Sequence, residues 1–212
     1  MNNKPTSHFS IQRRALLLAA MSGLAYPLAS TAQAPAQKPN AKALKLIEAA
    51  RSQIGVTTIY DGSYVSLSYP DGDVPIERGV CTDVIIRAYR KAFGYDLQKA
   101  VHEDMKSAFS AYPKIWGMKK TDRNIEHRRV PNLQTFFKRK NALIAKNSGT
   151  YQPGDLVTHM LPGNLPHIVI LSDKMDASGK HPLVIHNIGG GAREEDRLHE
   201  FTITGHYRFF PV

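Results

Sequence analysis

The sequence predicts an α+β domain in which N-terminal helices pack on a mainly antiparallel C-terminal sheet. Three observations carry that expectation. Residues 40–54 and 81–94 repeat apolar side chains at helical spacing. From residue 150 the texture changes to short apolar runs, Leu156–Thr158, Ile168–Leu171, Leu183–His186 and Ile203–Phe210, separated by Pro, Gly and Asp. The chain has 212 residues, 42% of them hydrophobic, with a mean hydropathy of -0.33, which suits one domain behind a short leader.

In chain order, the leader comes first. Lys4, Arg13 and Arg14 precede the apolar run Ala15–Met21, and Ser30-Thr31-Ala32 forms a small-residue cleavage signature. Residues 1–32 therefore read as a secretory signal peptide whose apolar run is too short for a stable membrane span. The expected location is the periplasm or another exported compartment, with Arg13-Arg14 permitting twin-arginine export and no stable membrane insertion after cleavage. Residues 33–40 read as a linker and 41–212 as a single domain. The net charge is +10; without Lys4, Arg13 and Arg14, and with no acid among residues 1–32, it is +7. That charge suits an anionic partner such as cell wall or an outer leaflet, and export argues against nucleic acid.

Asn40 can cap a first helix with Ala43, Leu44, Ile47, Ala50 and Ile54 on one face and Gly55 at its end. Residues 56–80 form a long irregular stretch, rich in Tyr, Gly, Asp and Pro, that leads directly into Cys81. A loop of that length with aromatic content reads as the wall of a site. The next helix places Cys81, Val84, Ile85, Ala88 and Ala92 on an apolar face and ends at Gly94. Cys81 would lie in its first turn, where free N–H groups and the helix dipole favour a thiolate. It is the single cysteine of the chain. In an oxidising compartment a lone thiol is either catalytic or buried as a small hydrophobe. A short helix is marked by Met105, Ala108, Phe109 and Tyr112. The stretch from Trp116 to Pro131 is polar and basic, and a helix from Asn132 turns Leu133, Phe136 and Phe137 inward, with Lys138-Arg139-Lys140 at its solvated end. Pro153-Gly154-Asp155 is a turn into the strands.

A cysteine nucleophile needs a base, and the base needs an orienting group. His167 opens the run Ile168–Leu171 and His186 closes the run Leu183–Ile185, with a returning loop between them. Antiparallel pairing would set the start of one strand against the end of the other. A Cys81–His167–His186 site follows, with His167 as base and His186 as its orienter. His159, His167 and His186, with Asp155 or Asp173, lack the compact spacing of a zinc site. Gly189-Gly190-Gly191 lacks the spacing of a phosphate-binding loop and reads as a turn or a close backbone approach to substrate. No metal and no cofactor are expected.

The segments Gly79-Val80-Cys81-Thr82-Asp83-Val84, Val101–Met105, Asn124–Leu133, Pro153–Val157, Pro166–Ile170, Val184–Gly189 and Thr204–Arg208 resemble the bacterial exported family called domain of unknown function 1287. More remotely, the layout resembles the NlpC-type cell-wall cysteine peptidases. That resemblance implies a papain-like fold with an insert around 95–150. It implies catalysis by Cys81, His167 and His186 and a substrate contact at Tyr60, with Tyr64 or Tyr69 as substitutes; Asp83 and Asn187, beside Cys81 and His186, are further candidate substrate contacts. The implied activity is thiol hydrolysis of amide bonds in peptidoglycan peptides. The alternatives are an inactive wall- or partner-binding module on the same fold, or a related thiol amidase or acyltransferase.

Overall fold

The computed structural model describes residues 39–145 and 150–211. The expected signal peptide, residues 1–32, and all of the linker but its last two residues lie outside the described residues.

Helix α1 spans Ala41–Arg51, and the Asn40 side chain accepts from the Ala43 N–H at 2.7 Å. Its buried stripe is Ala43, Leu46, Ile47, Ala49 and Ala50. It stops short of Ile54 because residues 52–56 turn away, with Gly55 at φ 78°. Gln53 in that turn donates to the Val84 carbonyl, joining α1 to the next helix.

Helix α2 spans Cys81–Phe93 and ends on Gly94 in the left-handed conformation, as the sequence predicts. Its N-terminus is closed reciprocally. The Asp83 carboxylate accepts from the Val80 N–H at 2.6 Å, and the Asp83 N–H donates to the Val80 carbonyl at 3.0 Å. Helix α3, Leu97–Ser107, begins on an Asp96 cap and precedes a 3-10 turn at Phe109–Ala111. A second 3-10 turn at Glu126–Arg128 leads into α4, Val130–Arg139. Within the expected insert, helices α3 and α4 are part of the body of the domain. Their Leu97, Val101, Leu133, Phe136 and Phe137 are buried in the same core as α1 and α2.

Residues 56–80 contain a two-residue parallel pair, β1 (Ile59–Tyr60) with β2 (Arg78–Gly79). A loop this long needs partners for its backbone groups. Buried Arg87 of α2 supplies many of them. Its guanidinium binds the Asp73 carboxylate and donates to the carbonyls of Val74, Pro75, Ile76 and Arg78 and to the Thr57 hydroxyl. Gln98 holds Ser68 and Gly72, and Asn124 accepts from the Leu67 N–H.

The strands are β3 (Leu156–Leu161), β4 (Leu165–Met175), β5 (Pro182–Asn187), β6 (Ala192–Glu195) and β7 (Thr202–Tyr207). They form an antiparallel sheet of order β6-β5-β4-β3-β7. The four expected runs are four of its strands; β6, with the polar sequence Ala-Arg-Glu-Glu, has no apolar signature. Alternation divides the faces. Leu156, Ile168, Ile170, Ile185 and Tyr207 pack with the helices, while Val157, Val169, Leu171, Val184 and Leu198 form a second cluster. The Pro153-Gly154-Asp155 turn is pressed onto α1. Gly154 has φ 83°, and a Cβ there would meet Ala43 Cβ at 2.9 Å. Asp155 accepts from His206 and Arg208 of the C-terminal segment.

Candidate active site

Cys81 opens α2 and lies on the wall of a cleft of about 400 Å³. The cleft is also bounded by Tyr60, Tyr64, Trp116, Arg129 and Pro166. The irregular stretch before Cys81 thus supplies one wall and the 116–131 segment another. Arg128 ties those walls to the helix N-terminus. Buried, it binds Asp83 through Nε at 2.9 Å and Nη2 at 3.0 Å and donates to the carbonyls of Asp61 and Ser63.

His167 and His186 are brought together. His167 Nε2 lies 2.8 Å from His186 Nδ1, and the residues are 3% and 1% exposed. The β4–β5 ladder ends at Ile170–Ile185. Continuing that register sets His186 opposite Val169, so the imidazoles are a diagonal pair on one face and not a directly opposed one. That face is the one carrying Val169, Leu171 and Val184, whereas Cys81 belongs to the helix-side core. The sulfur meets the strand at the Ile168 N–H, and no hydrogen bond joins it to His167 among the described residues. Period-two alternation is the reason: Ile168 points toward α2 and His167 does not.

The charge states differ from the sequence expectation. Burial pushes the Cys81 thiol up to about 12, Asp83 adds to the rise, and the N–H groups of Ile168, Thr82 and Cys81 only partly offset it. Desolvation outweighs the helix terminus, so the resting group is a thiol and not the thiolate expected. Burial pushes His167 down to about 3, with His186 and His159 adding to the shift. Burial likewise lowers His186 to about 4, against the pull of Glu195. Tyr60, on the exposed rim of the cleft, is raised to about 12 by partial desolvation and by the nearby Cys81 and Asp83, which keeps its phenol a donor.

Two of the expected substrate contacts, Asp83 and Asn187, are engaged within the protein. Asp83 is buried with both carboxylate oxygens engaged by Val80 and Arg128, so it braces the helix start. Asn187 is buried too; it donates to the Gly79 carbonyl and accepts from the Gly189 N–H. The glycines after it serve the fold. Gly191, at φ 85°, would place a Cβ 2.8 Å from the Thr57 carbonyl oxygen. Tyr60 and Tyr64 line the cleft, whereas Tyr69 packs edge-on against His102.

Other groups escaped the sequence reading. Arg129 stacks over the Trp116 ring at 4.1 Å and has no ion-pair partner among the described residues. Glu195 Oε2 lies 3.7 Å from His186 Nε2 and 2.6 Å from Arg197 Nε. Arg129 lay within a basic run that gave no sign of which cation faces the cleft, and Glu195 lay in a strand without apolar marking.

Among the described residues, Asp176, His181 and Asp196 are the set of three side chains close enough to share a metal ion. Asp176 is already held by the N–H groups of Ser178, Lys180 and His181, and His181 Nε2 lies 2.6 Å from Asp196. No helix among the described residues is long and apolar enough to cross a membrane.

Residues 47–209 match the family model described as domain of unknown function (DUF1287). The chain is 53% identical over 169 residues to the uncharacterized protein YijF of Escherichia coli (strain K12), covering 79% of this chain and 82% of that relative. No solved structure matches it.

Proposed function

The chain belongs to the family defined by the domain of unknown function DUF1287, and from its cleft we propose that it is an exported thiol hydrolase of NlpC-type, papain-like character. The observation that carries the reading is Cys81 at a helix start, against the strand that presents His167 hydrogen-bonded to His186. Cys81 Sγ attacks a substrate amide carbonyl as His167 takes the thiol proton. The tetrahedral oxyanion is met by the Cys81 N–H and the Tyr60 phenol. His167 returns the proton to the departing amine, leaving an acyl-enzyme. Water attacks that acyl group by the reverse proton path and frees Cys81. Both resting groups are neutral, so the thiol ionises as it attacks, and because His167 does not share the strand face of Cys81 the proton passes between them through one water at the start of β4 and not by direct contact.

A peptidoglycan peptide suits the cleft in two respects. Its carboxylates complement Arg129, a cation held under Trp116 without an ion-pair partner among the described residues. Its amides supply the scissile bond. A second reading, an inactive wall-binding module on the same scaffold, draws on the high thiol pKa and the missing Cys81–His167 hydrogen bond. Digestion of purified peptidoglycan peptides, followed by mass spectrometry, separates them. Wild type is expected to release a new amine terminus, and Cys81→Ala to release none. Equal cleavage by both proteins defeats the thiol mechanism. Binding without cleavage by either selects the module.

A further inference from the structure

We propose that Glu195 is a positioning residue that sets the protons on both site imidazoles, so that Nδ1 of His167 is left as the bare, basic nitrogen. The inference rests on the thiol-hydrolase reading for its purpose, but not for its geometry.

The His167 Nε2 to His186 Nδ1 contact of 2.8 Å contains one proton, which either ring can hold. If His186 holds it on Nδ1, its Nε2 is an unprotonated lone pair and His167 carries its proton on Nδ1. His167 then has no lone pair with which to take a proton from Cys81. If His167 holds it on Nε2, His186 carries its own proton on Nε2, and Nδ1 of His167 is free to accept.

The surroundings of His186 Nε2 decide between these states. That nitrogen is buried and has no hydrogen-bond partner. The charged group facing it is the Glu195 carboxylate at 3.7 Å, on the neighbouring strand β6. This separation is too long for a hydrogen bond. In a buried setting, however, a carboxylate still attracts an N–H and repels a lone pair. The carboxylate is fixed by Arg197 at 2.6 Å and flanked by Arg193 at 3.5 Å. His159, the third imidazole nearby, does not compete for the proton. Its Nε2 faces the Leu198 carbonyl at 2.9 Å, so that nitrogen bears its hydrogen. One order therefore satisfies all the contacts: Glu195 facing His186 Nε2–H, and His167 Nε2–H donating to His186 Nδ1.

Nitrogen-15 NMR of histidine-labelled full chain reads this order directly. Wild type is expected to show His167 and His186 both as Nε2–H tautomers. In Glu195→Ala the pair is expected to shift measurably toward the Nδ1–H forms. Glu195→Gln is expected to keep the wild-type order, because the Arg197 N–H selects the amide oxygen for the place nearest His186. Hydrolysis of peptidoglycan peptides by Glu195→Ala should then fall at kcat by roughly tenfold or more with KM little changed, the loss expected of a weakened general base. A wild-type His186 found as Nδ1–H, or tautomers unmoved in Glu195→Ala, would overturn the proposal. If Cys81→Ala hydrolyses as wild type does, the thiol reading falls, while the ring-nitrogen spectra still decide the proton order.

Discussion

At Cys81 two opposed effects meet in one residue. The backbone N–H groups of Ile168, Thr82 and Cys81 favour a thiolate, while burial and the Asp83 charge disfavour it. Burial prevails, as it does when an ionised group loses its water without gaining a full counter-charge. Arg128 does not supply that counter-charge, because its guanidinium is bound bidentately to Asp83. The free protein should therefore alkylate slowly with iodoacetamide at pH 7, with a rate that keeps rising through pH 10. A plateau by pH 8.5 would mean that the thiolate is formed at rest and that the helix terminus outweighs desolvation. Asp83 shows how two roles can share one local sequence. An acid two positions after a nucleophile has the same spelling whether it faces substrate or closes the helix. Only the arrival of Arg128, 45 residues later in the chain, selects the second role. Cys81 itself was legible, because a single cysteine at the start of an apolar helical stripe is a local signal. Its distance from His167 was not, because the face of a strand depends on register.

At the scale of elements, Arg87 connects the helix that carries the nucleophile to the loop that walls the cleft. From inside α2 it satisfies carbonyls along Val74–Arg78 and the Asp73 carboxylate. Replacing it with Met keeps the bulk but leaves those acceptors without their donor. Arg87→Met is expected to cost roughly 3 kcal/mol in urea unfolding. Amide exchange in residues 56–80 should accelerate as well. A variant with wild-type midpoint and wild-type protection would show that the loop is held by other contacts. This dependence also explains what the sequence could say about the elements. Helices α1 and α2 and four strands were readable from period and caps, because each buries an apolar face. The ordered loop was readable only as long and aromatic, since its partner is an arginine hidden in a helix. Helix α3 begins at Leu97, well before the Met105 cluster, because Asp96 caps a run whose inward residues, Leu97, Gln98 and Val101, include a polar one. Strand β6 is an edge strand of charged residues, and its polarity, which hid it, is what delivers Glu195 to His186.

For the whole molecule, the same burial that holds the site neutral makes the fold sensitive to acid. An unfolded histidine takes up its proton near pH 6.5. Folded His127 and His167 stay neutral down to about 3, and His186 down to about 4, each lowered first by burial. Between these values the unfolded chain binds more protons than the native one, so stability rises with pH across the window and is lost as pH falls. Above the unfolded value both states hold these groups neutral, and the contribution is level. Within the window each pH unit removes up to ~1.4 kcal/mol per histidine. Carboxylates held low by hydrogen bonds and ion pairs, such as Glu194, act in the same direction but only once the pH nears their own range. The first loss on acidification therefore belongs to the histidines. The chain's excess of basic residues compounds it, since each added proton joins an already positive molecule. The urea midpoint is expected to fall steadily from pH 7 to pH 5 with little change in m, and to stay level from pH 7 to pH 8. His127→Gln separates the site from the scaffold. It removes one buried titrating ring outside the Cys81 cleft, and the midpoint should then fall less steeply while the His167–His186 share of the slope remains. A wild-type midpoint that does not move between pH 7 and pH 5 would mean that these rings take up protons in the folded state, and with them the neutral resting pair on which the proposed proton path depends would be lost.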